Sequence, residues 1–191
     1  MKTLQEYGQR LDDFFLSEER VLKLPHDGNP VAASRILHRL WTRRKIPALW
    51  GQLMFALTYL LSSGRLKNRL LRMAGLHLGK NAFIAAGASI DFHFPQLITI
   101  GDDVIIGTGA RILTHEVTHD HIRFSKVHIS HGATIGVGAI VRGGVVIGEG
   151  AIVGMGALVL RDVPDHVILT GVPDTAHSLI PPERRRQRKK E

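Results

Sequence analysis

Residues 129–164 read ISHGAT IGVGAI VRGGVV IGEGAI VGMGAL VLRDVP, and this stretch decides the fold. An Ile or Val opens every group of six residues, and the fifth position of each group is Ala or Val. The period extends back to residue 78 with two interruptions, and twelve such hexads indicate a repeat architecture. The hexads begin at Leu78, Ile84, Ile90, Ile100, Ile106, Ile112, Ile129, Ile135, Val141, Ile147, Val153 and Val159.

The hexad predicts a short strand followed by a tight turn, so that three hexads, or 18 residues, close one triangular coil. The opening aliphatic side chain points into the prism, and the small residue at position five fills the remaining interior. Glycine at other positions suits the corners, where a positive φ is common. The sequence therefore predicts a mainly β protein, a left-handed parallel β-helix of hexapeptide repeats with an N-terminal α-helical region.

The chain divides into three predicted parts. Residues 1–76 form a helical, basic and partly apolar region, residues 77–175 form the β-helix domain, and residues 176–191 form a basic tail. Helical spacing of apolar residues supports the first part, for example at Leu66, Leu70 and Met73.

The repeat is interrupted twice. Four extra residues separate the hexads that begin at Ile90 and Ile100, and eleven extra residues follow the hexad that begins at Ile112. The larger interruption predicts an inserted loop near residues 113–127. Loops carried by a rigid scaffold often hold functional residues, so this insertion is the first place to look for a site.

The net charge of +8 is concentrated outside the repeats. Residues 30–80 contain ten basic and no acidic residues, whereas residues 81–180 carry a net charge of −4. An acidic body of this kind argues against nucleic-acid binding. The chain contains no Cys, which excludes disulfides, thiolate zinc sites and a thiol nucleophile.

The basic region contains an apolar stretch, residues 48–61, that is shorter than the roughly 20 residues of a spanning helix. Trp50, Tyr59 and the flanking basic residues resemble the anchors of an interfacial segment. Two interpretations remain open: a helix packed on the body or on a second subunit, and peripheral contact with an anionic membrane through residues 35–72. No secretory signal precedes this region, so we expect a cytoplasmic location, including the inner face of the membrane.

The repeats, the His-bearing insertion after GARILTHE and the run VGMGALVLRDVPDHVILTGVP resemble the hexapeptide-repeat acyltransferases. Within that family the pattern is most similar to the sugar and exopolysaccharide O-acetyltransferases of the maltose, nodulation-factor and colanic-acid type. The resemblance implies a homotrimer that binds acetyl-CoA between adjacent β-helices. It also implies acetyl transfer to a hydroxyl of a sugar or polysaccharide precursor, free or lipid-linked, with a His as general base.

His115 occupies the family position of that base. A His near its ordinary pKa of about 6.5 suits the removal of a proton from an attacking hydroxyl. Counting hexads places His93 one coil below His115 and Gly144 one coil above, where a glycine leaves room for the pantetheine arm. His119 and His121 in the insertion remain alternative bases.

Further site residues are predicted around His115. Asp91, His93 and Glu116 are candidates to bind the acceptor, while a solvated corner is an equally good interpretation of Asp91 and His93. By resemblance to the family, acetyl-CoA is expected to contact Val137, Gly138, Met155, Gly156, Leu160 and Arg161.

Two other functions stay open. A zinc lyase like the gamma-class carbonic anhydrases could use His115, His119, His121, His128 and His131. However, the second histidine expected five residues after His131 is Gly136, so we expect no metal. A non-catalytic trimeric scaffold is the third possibility.

Overall fold

The computed structural model describes residues 4–26, 28–42, 53, 56–59, 61 and 64–171. From residue 77 onward the chain winds into a left-handed parallel β-helix, which confirms the predicted fold. Its coils are residues 77–90, 98–112, 127–141 and 146–159, and a partial fifth coil ends with Leu169.

Three parallel sheets form the faces of the prism. The first face contains β2 (His77–Leu78), β5 (Ile98–Ile100), β10 (Val127–Ile129) and β13 (Val146–Ile147). The second contains β3 (Phe83–Ile84), β6 (Ile105–Ile106), β11 (Thr134–Ile135), β14 (Ile152–Val153) and β16 (Ile168–Leu169). The third contains β4 (Ser89–Ile90), β7 (Arg111–Ile112), β12 (Ile140–Val141) and β15 (Leu158–Val159).

The interior of the prism follows the hexad pattern. On the second face, for example, Ile106 pairs with Ile135 and Ile135 with Val153, and all three are fully buried. Position five fills the space between these columns with small residues. The buried position-five residues are Ala82, Ala88, Val104, Ala110, Ala133, Ala139, Val145, Ala151, Ala157 and Val163. The six-residue period therefore predicted which side chains form the core of the prism.

Three corners connect the faces, and we number each after the face that precedes it. The second corner comprises residues 85–88, 107–110, 136–139 and 154–157, and the third comprises 91–97, 113–126, 142–145 and 160–163. Gly138 and Gly156 in the second corner have φ of 68° and 65°. A side chain disfavours this backbone conformation, which explains the recurring glycine.

The sequence predicted a helical N-terminal region, but the structure shows that this region also contains a strand. It contains α1 (Leu4–Leu16), β1 (Val21–Pro25), α2 (Pro30–Thr42) and α3 (Arg65–Met73). The predicted loop near 113–127 is a β-hairpin of β8 (His115–Val117) and β9 (His121–Ser125). β1 pairs antiparallel with β9, because the edge of the hairpin offers free backbone groups and Leu22 and Leu24 bury their side chains there.

A second hydrophobic core holds this region on the third corner. It combines apolar side chains of α1, β1, α2, the hairpin and the short 3₁₀ turn Pro95–Leu97. Its buried members are Tyr7, Leu11, Phe14, Leu22, Leu24, Ala33, Leu40, Trp41, Phe94, Leu97, Ile122 and Phe124. Parts predicted as separate, the N-terminal region and the insertion, therefore pack as one unit.

Helix α3 buries Leu71 in the core of the prism but leaves two other apolar side chains exposed. Leu66 and Met73 are 62% and 53% exposed, whereas Lys67 and Asn68 are buried. Asn68 Nδ2 donates to the Ala82 carbonyl at 2.7 Å, and Lys67 Nζ donates to the Ala85 carbonyl at 2.9 Å. These bonds satisfy carbonyl groups at the open end of the first coil, which has no preceding coil to pair with.

Within the part of the chain that the structure describes, no helix combines the length and apolar character needed to cross a membrane. Most of the apolar stretch 48–61, with Trp50, and the whole predicted tail 176–191 lie outside the described residues.

Candidate active site

Both interruptions of the repeat open at the third corner, directly after equivalent residues of the third face. Ile90 pairs with Ile112, and Ile112 pairs with Val141. Three residues further along each strand, His93 and His115 lie side by side, with ring centroids 5.0 Å apart. The predicted stacking of His93 below His115 is therefore confirmed.

A buried carboxylate holds His115. Asp91 Oδ2 lies 2.5 Å from His115 Nδ1. Since an ionised carboxylate can only accept, Nδ1 carries the proton and donates, which leaves Nε2 as the basic nitrogen. The His115 side chain is 20% exposed and that of Asp91 only 3%. The arrangement is a partly exposed imidazole, oriented by a carboxylate that solvent hardly touches, and this geometry suits a proton acceptor.

Asp91 is saturated with donors from the protein. Thr114 donates to Oδ2 through its backbone nitrogen at 3.1 Å and through Oγ1 at 2.5 Å, and the His93 nitrogen donates to Oδ1 at 3.0 Å. Burial favours the neutral carboxyl group, but the hydrogen bonds from His115, His93 and Thr114 outweigh it and hold the pKa of Asp91 far below its usual value. Asp91 is therefore an anion at neutral pH.

This placement corrects both interpretations of Asp91, the one as a residue that binds acceptor hydroxyls and the other as part of a solvated corner. Its oxygens are engaged inside the protein, where they hold the His115 ring in one orientation. Thr114, which is 1% exposed, was missed because a lone Thr before a His carries no recognisable sequence signal. His93 is partly exposed and lies beside the base, so its role as an acceptor-binding residue stays a prediction.

Aromatic rings surround the two histidines. Trp41 of α2 lies 5.0 Å from His93, and Phe92 stacks on His93 at 4.1 Å. Phe94 contacts His115 from below at 5.6 Å and is fully buried. The contact of Trp41 spans distant parts of the chain, and no spacing in the sequence indicates it. The N-terminal region thus contributes one wall of the site.

Glu116 points away from the base, toward two arginines. Arg142 Nε and Arg123 Nη1 donate to Glu116 Oε1 at 2.8 and 3.2 Å. The hydrogen bond from Arg142 is the main reason that the pKa of Glu116 lies below its usual value. The predicted contact of Glu116 with the acceptor has no support in this geometry, because the carboxylate is engaged in these ion pairs.

Gly144 predicted an open space above His115, but the structure shows that this space is filled. A Cβ atom added there would lie 3.0 Å from both Arg123 Nη2 and Val21 Cγ2. The hairpin and β1 therefore pack over this glycine, and the predicted passage for the pantetheine arm at Gly144 is wrong.

The residues predicted to bind acetyl-CoA fall on two corners of the prism. Val137, Gly138, Met155 and Gly156 lie in the second corner, where Met155 is 79% exposed and Val137 is 51% exposed. Leu160 and Arg161 lie in the third corner, two coils beyond His115 along the axis. A single chain does not bring the two sets together, and their role stays a prediction.

In the part of the chain that the structure describes, His119, His121, His128 and His131 do not join His115 in a group that could hold a metal ion. Among the described residues, the group close enough to hold an ion is Asp91, His93 and His115. In that group Asp91 already accepts the hydrogen bonds described above. His121 pairs instead with Asp120 at 2.9 Å, and His131 lies 3.7 Å from Asp103. The five-histidine set of the zinc-lyase alternative therefore does not converge.

Comparison with known proteins agrees with this architecture. Residues 127–161 match the family model described as the hexapeptide repeat of succinyl-transferase. YvoF of Bacillus subtilis (strain 168), named as a candidate acetyltransferase, is 38% identical over 109 residues, which cover 56% of this chain. The matched part spans 63% of the length of that relative.

Two solved structures show the same fold. One is a hexapeptide-repeat acetyltransferase from Vibrio cholerae in complex with acetyl coenzyme A, with a TM-score of 0.55, 21% identity, and coverage of 64% of this chain and 80% of the other. The second is a maltose O-acetyltransferase from Clostridium difficile, with a TM-score of 0.50, 19% identity, and coverage of 68% and 86%.

Proposed function

We propose that this hexapeptide-repeat protein is an acyl-CoA-dependent O-acyltransferase that transfers acetyl from acetyl-CoA to a hydroxyl of a sugar or polysaccharide precursor. The observation that carries the proposal is the contact between buried Asp91 and Nδ1 of His115, 2.5 Å long. It fixes the tautomer in which Nε2 is basic, and it does so at the one corner where the repeat opens. The similarity to YvoF supports the same activity class.

The chemistry follows from the state of these two side chains. His115 Nε2 accepts the proton of the acceptor hydroxyl as the hydroxyl oxygen attacks the thioester carbonyl, and it returns that proton to the departing thiol. The negative charge of Asp91 stabilises the imidazolium that forms in between. The chain has no Cys, so the acetyl group does not rest on a thiol of this protein, and in this proposal it passes directly to the acceptor.

The donor groove requires a second copy of the chain in this proposal. The predicted acetyl-CoA residues occupy two different corners, and a homotrimer would place the second corner of one subunit against the third corner of its neighbour. Size-exclusion chromatography with light scattering is expected to give a mass three times that of the chain. A monomer that retains full activity would contradict a shared groove.

Contact with the cytoplasmic face of a membrane is a further part of the proposal. Leu66 and Met73 of α3 are exposed, and residues 30–80 contain ten basic and no acidic residues. An apolar stripe flanked by bases suits an anionic bilayer surface. We expect the protein to sediment with phosphatidylglycerol-containing vesicles and not with pure phosphatidylcholine vesicles, and equal sedimentation with both would contradict this.

The activity itself is tested by CoA release. Purified protein is incubated with acetyl-CoA and a panel of sugars, nucleotide sugars and glycosides, free thiol is measured, and the products are analysed by mass spectrometry. Acceptor-dependent thiol release with a product 42 Da heavier is the expected result for one acetyl group. Absence of acetyl-CoA binding by calorimetry would favour the scaffold, and stoichiometric zinc in protein purified without a His-tag would favour the lyase.

A further inference from the structure

A cavity lies at the N-terminal end of the prism, beneath the open end of the first coil. Its volume is about 350 Å³, which falls within the range of about 300–1,000 Å³ typical of ligand sites. Its walls are contributed by α3, by the helical turn 56–59 and by the first coil. The apolar residues that line it include Leu71, Ile84, Ala88, Ile90 and Phe92.

The charge at the cavity is already bound to the protein. Lys67 is the charged residue among those that line it, and its Nζ donates to the carbonyl oxygens of Leu61 at 3.1 Å and Ala85 at 2.9 Å. These bonds engage two of the three ammonium hydrogens, so the protein already satisfies most of the donor capacity of Lys67. Because most of the other lining side chains are apolar, the walls favour an apolar ligand, for which burial of each methylene group is favourable.

The cavity adjoins the candidate base through two stacked rings. Phe92 lines the cavity and stacks on His93 with ring centroids 4.1 Å apart. The His93 ring lies 5.0 Å from the His115 ring. A molecule in the cavity therefore contacts Phe92, and the rings of Phe92 and His93 lie between it and His115.

Along the axis of the β-helix, the cavity and the predicted acetyl-CoA residues lie on opposite sides of His115. The cavity and His93 belong to the first coil, and His115 follows the second coil. The residues predicted for acetyl-CoA, from Val137 to Arg161, belong to the third and fourth coils. His115 lies between a donor side and a cavity side, so the cavity is on the side left for the acceptor.

We infer that this cavity binds the hydrocarbon chain of an amphiphilic acceptor, such as a lipid-linked sugar, and thereby presents the acceptor hydroxyl to His115. The inference rests on the proposed function and adds to it the class of acceptor. The hydrocarbon chain belongs to the acceptor and not to the acyl donor in this inference, because the residues predicted to bind the donor lie in later coils.

The first measurement is binding, which does not depend on turnover. N-phenyl-1-naphthylamine is expected to become fluorescent in the cavity and to be displaced by octyl β-D-glucoside below its micelle-forming concentration, but not by methyl β-D-glucoside. Ala56→Trp, at an exposed position of the cavity wall, and Ala88→Phe, in its interior, should each abolish the fluorescence. Leu57→Trp is the matched control, because Leu57 is an exposed neighbour outside the lining.

The second measurement is turnover with acetyl-CoA. The octyl glucoside should have a KM at least about tenfold lower than the methyl glucoside, since several methylene groups become buried. Ala56→Trp should remove this difference and Leu57→Trp should preserve it. Circular dichroism melting of each variant separates loss of the cavity from loss of the fold, and Ala56→Trp remains decisive if Ala88→Phe does not fold.

The outcomes separate this inference from the proposed function. Equal KM values for the two glucosides, or turnover without displacement of the dye, would overturn the inference and leave the transferase intact. A preference for octanoyl-CoA with the methyl glucoside would also overturn it, because the chain would then belong to the donor. Displacement of the dye without turnover of any acceptor would support chain binding and overturn the proposed function.

Discussion

The second and third corners of the prism use the same repeat for opposite purposes. In the second corner each turn is closed, and the turns of the third and fourth coils bond to the turn below, with Gly138 N donating to Thr108 O at 2.9 Å and Gly156 N to Val137 O at 2.8 Å. In the third corner, by contrast, the chain extends out of the prism after each of the first two coils. The extra residues there carry His93 and the hairpin that begins at His115.

The difference shows where a regular scaffold can hold chemistry. Position four of a closed turn takes a positive φ, as at Gly138 and Asp103, and most side chains disfavour this conformation. Where the chain leaves the coil, the residue at position four of the hexad no longer needs a positive φ. His93 and His115 occupy this position. The strands before these residues still fix their height, so the rigid repeat sets the distance between the two rings.

Removing the proposed base should give the largest effect of the changes that follow. His115→Ala is expected to lower kcat about 10²–10⁴-fold, because the acceptor hydroxyl loses its proton acceptor. The measurement is thiol release from acetyl-CoA with a saturating acceptor. The matched control is His131→Ala, in a closed turn at the first corner, where the side chain is 57% exposed and the rate should stay unchanged. Retention of more than about a tenth of the wild-type kcat would exclude His115 as the base.

Asp91→Asn should weaken the base without removing it. We expect a loss of about 10²-fold or more in kcat, because the amide no longer enforces the Nε2-basic tautomer or stabilises the imidazolium. The measurement is the same thiol-release assay with a saturating acceptor, with circular dichroism melting to show that the variant keeps its fold.

Asp103→Asn is the control for that change, because Asp103 occupies a closed turn and Asn tolerates its φ of 55°. A loss of kcat of similar size in both variants would contradict the orienting role of Asp91.

The two corners should also respond differently to the same substitution. Gly138→Ala meets nothing within 4 Å, so only its φ of 68° opposes the side chain, at about 1–2 kcal/mol of unfolding free energy. Gly144→Ala has a φ of 94° and also crowds Arg123 and Val21 at 3.0 Å, which should add about 1–3 kcal/mol. Urea unfolding of both variants measures the difference. Equal destabilisation would mean that the hairpin and β1 do not pack firmly on the third corner.

The ion pair between Arg20 and Asp162 should have the smallest effect, although it joins the N-terminal region to the fourth coil. Its N–O distance is 2.8 Å, but the side chains are 50% and 51% exposed, and such pairs contribute about 0–1 kcal/mol. Arg20→Ala should therefore lower Tm by no more than about 2–4 °C, and 0.5 M NaCl should reduce even that change. A larger loss would show that α1 and β1 depend on this contact for docking.

The sequence predicted the prism well because, in each hexad, the positions of the aliphatic and small residues indicate which side chains are buried. Ile135 and Ala139, for instance, are buried for the same reason as their equivalents one coil away, and the period makes that reason visible six residues at a time. The position of His115 above His93 followed from the same count. Local repetition thus determined the fold, the core and the height of the candidate base.

The insertion was less predictable, because its structure depends on a partner far away in the chain. The pattern of residues 113–127 indicated a loop, and only the tertiary structure shows β9 pairing with β1, with Ile122 opposite Leu24. The errors at Gly144 and Glu116 have a similar cause. Gly144 lies against Val21 and Arg123, and Glu116 pairs with Arg123 and Arg142, so the neighbours of both residues belong to other elements.

By itself, the sequence determined the left-handed β-helix and pointed to one histidine within it. The tertiary structure alone decided that Asp91 faces inward to hold His115 and that Trp41 closes the site beside His93. The physical reason is that a repeat encodes contacts between equivalent positions. The site, in contrast, is built from contacts between unlike segments that meet only after the chain has folded around the third corner.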